Sequence, residues 1–242
     1  MDHVDTLENG EAGRYRSLDA VDFGSPESLT APVLSSRLII ESDPSSIEAE
    51  AIRALRTRIV AQHLREDRRS LAVCTPSEGS GASFIAANLA VAMAQIGYAV
   101  ALVDADLRSG QLAELIGHDP DLPGLSDYLA DPSVAMDTVM QDDLRPGLTF
   151  IGAGAESDQP QELLASERFG TLMDQLLREF DFTILDTTPA NSCTDAHRVA
   201  SLARHALIVA RRHKSYMSDV ETLAKMLRAD GADITGTVLN EF

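Results

Sequence analysis

LAVCTPSEGSGASFIAANLAVAMAQIG, residues 71–97, is the stretch whose reading decides the fold. It opens with a short apolar run of strand length, Leu71–Thr75. A loop holding Gly79 and Gly81 follows. The chain then enters an alanine-rich run, Ser83–Gln95, that is too long for a strand and has high helix propensity. Gly97 makes a turn, and Ala99–Val103 is a second apolar run. Phe84 to Val103 is also the longest apolar tract, but Asn88, Gln95 and Gly97 interrupt it. It therefore reads as helix, turn and strand rather than as a membrane span.

The same alternation continues downstream. Apolar runs at Leu148–Gly152, Phe182–Leu185, Ala206–Ala210 and Ile234–Leu239 alternate with helical patterns at Pro160–Glu179, Thr194–Arg204 and Ser218–Ala229. Strands that are apolar throughout, separated by helices, imply an α/β fold: a mostly parallel twisted sheet with helices on both faces. Upstream, DPSSIEAEAIRALRTRIVAQHL (43–64) reads as a helix opened by Ser45 or Ser46, with Glu48 in its first turn. Residues 1–44 carry nine acids against three arginines and are rich in Ser, Pro and Gly. They are expected to form a flexible acidic tail, with Val33 to Ile40 the part able to dock, and 45–242 a single domain.

Composition narrows the function. The 242 residues hold 38 acids and 20 bases, a formal charge of −18. Phosphate neutralisation needs clustered Lys and Arg, so nucleic acid and anionic lipid are unexpected partners. Two cysteines give neither a disulfide framework nor a metal cluster, and the six histidines lack ligand spacing. The N-terminus lacks a charged segment followed by an apolar one, so a cytoplasmic chain is expected. Only Lys214 and Lys225 are lysines.

A glycine loop between a strand and a helix N-terminus is the recipe for an anion site, because free N–H groups and the positive end of the helix dipole converge there. The next strand ends in ALVDADLR and delivers Asp104 and Asp106; FTILDTTPA delivers Asp186. Ligands bind at this edge of open α/β sheets. Three acids beside one glycine loop suit a Mg²⁺-nucleotide, whose metal takes hard oxygen ligands and water. Each acid alone could equally cap a following helix.

These residues resemble the bacterial tyrosine kinase family, cytosolic P-loop proteins tied to capsule and exopolysaccharide assembly, within the group that contains MinD- and ParA-like ATPases. The resemblance covers roughly Asp43 to Asn240. SEGSGASFIAANLA (77–90) is similar to the Walker A loop, LVDADLRSGQL (102–112) to the family's second Asp-x-Asp motif, and FDFTILDTTPANSCTDA (180–196) to the Walker B strand. The resemblance implies ATP or ADP with Mg²⁺ as cofactor, cradled by Gly79, Ser80, Gly81, Ala82, Ser83 and Phe84. It implies Mg²⁺ held through Ser83, Asp104 and Asp186, with Asp104, Asp106 and Asp186 as catalytic acids, and Asn240 touching the adenine. EAIRALRTRI (50–59) resembles the helix that builds ring-like homo-oligomers, through Glu50, Arg53 and Arg56. The implied partner is an inner-membrane polysaccharide co-polymerase, which would hold the chain at the inner face of the cell membrane.

The departures are informative. Counting back from AANLA, Ala82 stands at the Walker A lysine, and the extra lysine of ParA-like loops falls at Ser77. DTTPA replaces Asp-Thr-Pro-Pro. The sequence ends VLNEF rather than in a tyrosine cluster, and of Tyr15, Tyr98, Tyr128 and Tyr216 only Tyr15 reads as a free phosphoacceptor. Arg211, Arg212 and Lys214 read as solvated surface, with Arg211 or Arg212 the alternative stand-in for the missing lysine. The expected function is a kinase-like subunit with impaired phosphoryl transfer that regulates polymerisation and export of a capsule, exopolysaccharide or holdfast-type polysaccharide. An active tyrosine autokinase or ATPase, and a MinD/ParA-type positioning ATPase, are the competing readings.

Overall fold

The computed structural model describes residues 38–63 and 68–241. The chain opens with a short helix, α1 (Ile39–Ser42), then α2 (Ile47–His63), β1 (Ser70–Cys74), α3 (Ala82–Ala94) and β2 (Val100–Asp104). Three short helices follow, α4 (Leu112–Ile116), α5 (Leu125–Ala130) and α6 (Met136–Val139), and then a hairpin of β3 (Gln141–Arg145) and β4 (Leu148–Ile151). The rest alternates: α7 (Pro160–Ala165), α8 (Glu167–Glu179), β5 (Phe182–Asp186), α9 (Asp195–Ala203), β6 (His205–Arg211), α10 (Met217–Ala229) and β7 (Asp233–Asn240).

The seven strands lie in the order β3-β4-β2-β5-β1-β6-β7. All neighbours are parallel except β3, which runs antiparallel on β4 at one edge. Side chains of β1 alternate between two cores. Leu71 and Val73 face α1, α2, α3 and α4, whereas Ala72 and Cys74 face α5, α8, α9 and α10. The helices therefore cover both faces, which is why the strands are apolar throughout. The α3 helix is buried almost all round, because it lies between the sheet and α2. Its alanines allow that close approach, and its apolar length reflects burial in protein. None of the described helices is long and apolar enough to cross a membrane.

All six strands expected from the sequence are present, each within a residue or two. Ser46 opens α2, its hydroxyl accepting the Ala49 N–H. Three features differ. The packed structure reaches back to Leu38, past the boundary expected at residue 44 and into the Val33–Ile40 stretch read as the part of the tail able to dock: Leu38 and Ile40 are in the core, and the Ile40 N–H donates to the side-chain carbonyl of Asn88. The Arg145 guanidinium clamps both Glu41 oxygens, at 2.6 and 2.7 Å, and so ties α1 to β3. The single helix expected over 160–179 is broken at Ser166, whose ψ of 155° ends α7 and starts α8. Lastly, β3 and α4 to α6 are additional. The β3 sequence QDDLR is polar because an edge strand has no apolar neighbour on its outer side.

Candidate nucleotide site

The site lies at the C-terminal edge of the central strands. After β1 the chain folds back on itself: the hydroxyls of Thr75 and Ser80 both donate to the Ser77 carbonyl, at 3.1 and 2.6 Å. Gly79 (φ 65°) and Gly81 (φ 87°) both adopt left-handed backbone that a side chain would strain. The helical ladder of α3 begins with Ile85 N–H donating to the Gly81 carbonyl. The N–H groups of Ala82, Ser83 and Phe84 thus have no acceptor within the helix, and they share its positive end. Ala82 is the first helical residue, with its methyl buried. The segment after β5 braces the loop from behind: Ala190 and Asn191 donate from their N–H groups to the carbonyls of Thr75 and Pro76.

The acids meet this loop from the adjacent strand ends. Asp104 and Asp186 are register partners across the β2–β5 ladder, and both are buried. Asp104 accepts the N–H groups of Asp106 and Leu112, and Asp106 accepts those of Arg108 and Ser109 and the Ser109 hydroxyl. Helix and turn capping by these acids is therefore real for Asp104 and Asp106. Asp186 is different. The Ser83 hydroxyl donates to it, yet its Oδ1 is buried without a hydrogen-bond partner. Burial pushes the Asp186 carboxyl up to about 7, with the Asp106 charge adding to the rise and the Ser83 hydrogen bond opposing it. Burial and the facing Asp186 charge also raise Asp104 well above the usual carboxylate range.

A buried carboxylate oxygen with no partner, beside a hydroxyl and a second carboxylate, is a donor set for a hard cation. The described residues contain no group of three His, Cys, Asp or Glu arranged as a metal cage. Mg²⁺ does not require one, because phosphate oxygens and water complete its octahedron. The residues fit Mg²⁺ with a nucleotide phosphate. Cys74 offers no alternative chemistry, since burial pushes its thiol up to about 12.

The remaining expected residues fall in three places. Asn240 ends β7 opposite Arg211 and reaches the loop itself, donating from Nδ2 to the Ser80 carbonyl at 3.0 Å. Glu50, Arg53 and Arg56 lie away from the loop on α2. Arg53 pairs with Glu50 at 2.9 Å and donates to the Pro44 carbonyl, and Arg56 donates to the Ala92 carbonyl near the end of α3. Tyr15 lies outside the described residues. Tyr128 is buried beneath Arg168, but Tyr216 is 73% exposed at the start of α10, so the described residues include an accessible tyrosine that the sequence reading passed over.

Two contacts escaped the sequence reading, those of Arg108 and Lys214, whereas Arg211 is a residue that the sequence offers as a stand-in for the missing lysine. Arg108, just after the Asp-x-Asp pair, forks onto the buried Asp195 at the start of α9. Arg211 donates to the Gly79 carbonyl at 2.9 Å, and the Lys214 ammonium rests against Gly79 where a side chain would otherwise stand. The rarity of lysine was the one signal that could have singled out Lys214.

Residues 67–241 match the ParA family model, described as a NUBPL iron-transfer P-loop NTPase. The chain is 30% identical over 206 residues to the putative tyrosine-protein kinase CapB of Staphylococcus aureus, spanning 85% of this chain and 90% of CapB. It is 33% identical to the putative tyrosine-protein kinase EpsB of Ralstonia nicotianae over 92% of its own length, but over only 29% of EpsB. Among solved structures, the kinase domain of the Escherichia coli tyrosine kinase ETK superposes with a TM-score of 0.80 at 30% identity, covering 84% of this chain and 79% of that one.

Proposed function

The chain belongs to the ParA-like P-loop NTPases and, among them, to the bacterial tyrosine kinase family, and from that premise we propose that it is a Mg²⁺-nucleotide-binding, kinase-like subunit with impaired phosphoryl transfer. It would regulate polymerisation and export of a capsule, exopolysaccharide or holdfast-type polysaccharide. Its partner would be an inner-membrane polysaccharide co-polymerase, and attachment at the inner face of the cell membrane would come through that partner. The match to nearly all of CapB and to under a third of EpsB supports a unit that works either alone in its chain or fused to a larger remainder. A separate co-polymerase chain would take the place of that remainder. Ring assembly through Glu50, Arg53 and Arg56 belongs to the same reading.

The observation that carries the proposal is the partnerless oxygen of Asp186, the carboxyl that accepts the Ser83 hydroxyl at the start of α3, combined with an alanine at the lysine position. Ser83 and Asp186 would hold the metal, with Asp104 acting through water. The N–H groups from Gly79 to Phe84 would cradle the phosphates, and Asn240 would close the loop on the adenine side. Bound there, the cation would supply charge neutralisation to the nucleotide phosphates. Asp106, held by three hydrogen bonds in its own turn, would orient a water among the three acids. Ala82 offers the phosphates no charge. A hydrogen bond to a charged group is worth about 1.5–3 kcal/mol in binding, and the loss in the transition state is larger, because charge develops there.

Calorimetry with Mg-ADP and Mg-ATP on the wild type and on Ala82→Lys tests the reading. Ala82→Lys is expected to bind about tenfold more tightly, the lower end of that range. An unchanged or weaker affinity would mean that residue 82 does not face the phosphates. Transfer of label from γ-labelled ATP to the wild-type protein itself, at the rate of an active kinase, would remove the claim of impairment.

A further inference from the structure

We propose that Lys214, held over the loop by the turn between β6 and α10, supplies the phosphate cation that Ala82 cannot, with Arg211 as its positioning residue. The inference rests on the nucleotide reading above and adds a residue to that site.

Four observations lead to it. The Lys214 ammonium occupies the space beside Gly79 that a side chain at that position would fill. A cation therefore already stands at the anion-binding loop, delivered from a different element. Second, the turn that delivers it is built. Ser215 N–H and Lys214 N–H both donate to the Arg211 carbonyl, and the Ser215 hydroxyl accepts the Arg211 N–H. His213 sits at φ 61°, a left-handed conformation that costs a residue with a Cβ and reverses the chain so that Lys214 turns back over the loop.

Third, the turn is laced to the loop. Arg211 donates to the Gly79 carbonyl, Arg212 N–H donates to the Asn240 carbonyl, and Asn240 donates onward to the Ser80 carbonyl. Arg211 and Asn240 are register partners at the ends of β6 and β7, which fixes all three contacts together. Fourth, Lys214 is ion-paired with no described carboxylate, although the protein carries 38 acids. Its charge is available to an incoming anion. Arg211 is half-buried and already committed to the Gly79 carbonyl, so it serves to fix the turn while Lys214 meets the phosphates.

A solvent-facing ammonium reaching in from a neighbouring loop can neutralise ground-state charge. It enters from outside the loop, whereas a lysine at residue 82 would rise from its base. Affinity is thereby retained, and transfer chemistry is left impaired.

The test is calorimetric Mg-ADP binding by the full chain. Lys214→Ala is expected to weaken affinity ten- to hundredfold and to lower the salt dependence of binding, while Lys214→Arg keeps most of it. Lys225→Ala, which removes the other lysine, should bind as wild type does. Adding Ala82→Lys to Lys214→Ala should restore the affinity, which a general disturbance of the turn would not allow. Lys214 is exposed, so unchanged thermal unfolding of Lys214→Ala is the expected control. Wild-type binding that survives Lys214→Ala within twofold would overturn the inference and leave the nucleotide reading standing. A wild type that binds neither Mg-ADP nor Mg-ATP would overturn both.

Discussion

Asp186→Asn is expected to stabilise the metal-free protein at pH 8 by about 2–4 kcal/mol and to abolish its response to Mg²⁺-nucleotide. Both effects have one cause. The Asp186 carboxyl is buried opposite Asp104 and near Asp106, and it titrates at about 7 in the folded chain. In the unfolded chain it titrates near 3.9. A folded pKa above the unfolded one means that the native state holds the proton more tightly. The associated stability is fully present below about pH 4. It is lost as pH rises to the folded pKa and does not change further above it. Three units correspond to about 4 kcal/mol, an upper figure because the Asn amide must itself find partners.

Urea unfolding in EDTA between pH 5 and pH 8 checks this. The gap between wild type and Asp186→Asn should widen up to pH 7 and then level off. Parallel curves would show that Asp186 carries no excess proton. With saturating Mg-ADP the order should reverse, since a ligand that binds only the folded state stabilises it by mass action, and the cation favours the ionised carboxylate. An acid kept in the core at such a cost is the signature of a functional rather than a structural group.

The second large effect concerns the segment before α2. Ile40→Ala is expected to cost about 2–5 kcal/mol, with Leu38→Ala adding a similar amount. Both side chains are nearly inaccessible and pack in the core that holds α3. The Ile40 N–H also donates to the buried Asn88 side-chain carbonyl, so any change that displaces α1 loses that hydrogen bond as well. Chemical denaturation of the single and double variants measures the loss. A change below 0.5 kcal/mol, the size of an ordinary surface substitution, would mean that 38–42 leaves its place without consequence.

The Ile40 case shows where sequence reading stops. LII at 38–40 lies in the stretch read as able to dock, but three apolar residues between polar ones are too few for periodicity to say where or in what conformation. Its docking depends on Asn88, 48 residues away, and on Arg145, 104 residues from Glu41. The α7–α8 break was hidden for a related reason. Pro160–Glu179 keeps a helical pattern throughout, and only the requirement to bury both Leu164 and Phe169 against one core fixes a bend at Ser166.

The sequence by itself determined the parallel sheet, the glycine loop and the three acids. Each of these is written locally: continuous apolar runs, a Gly pair before a helix, an Asp where a strand ends. The missing lysine at position 82 was legible for the same reason. Only the tertiary structure decided what stands in its place. Lys214 lies 135 residues beyond Gly79 in the chain, and nothing around it distinguishes a solvated base from a phosphate ligand. The pairing of β6 with β1 on one side and β7 on the other brings that turn onto the loop, and strand order is set by packing across the whole sheet rather than by any local run of residues.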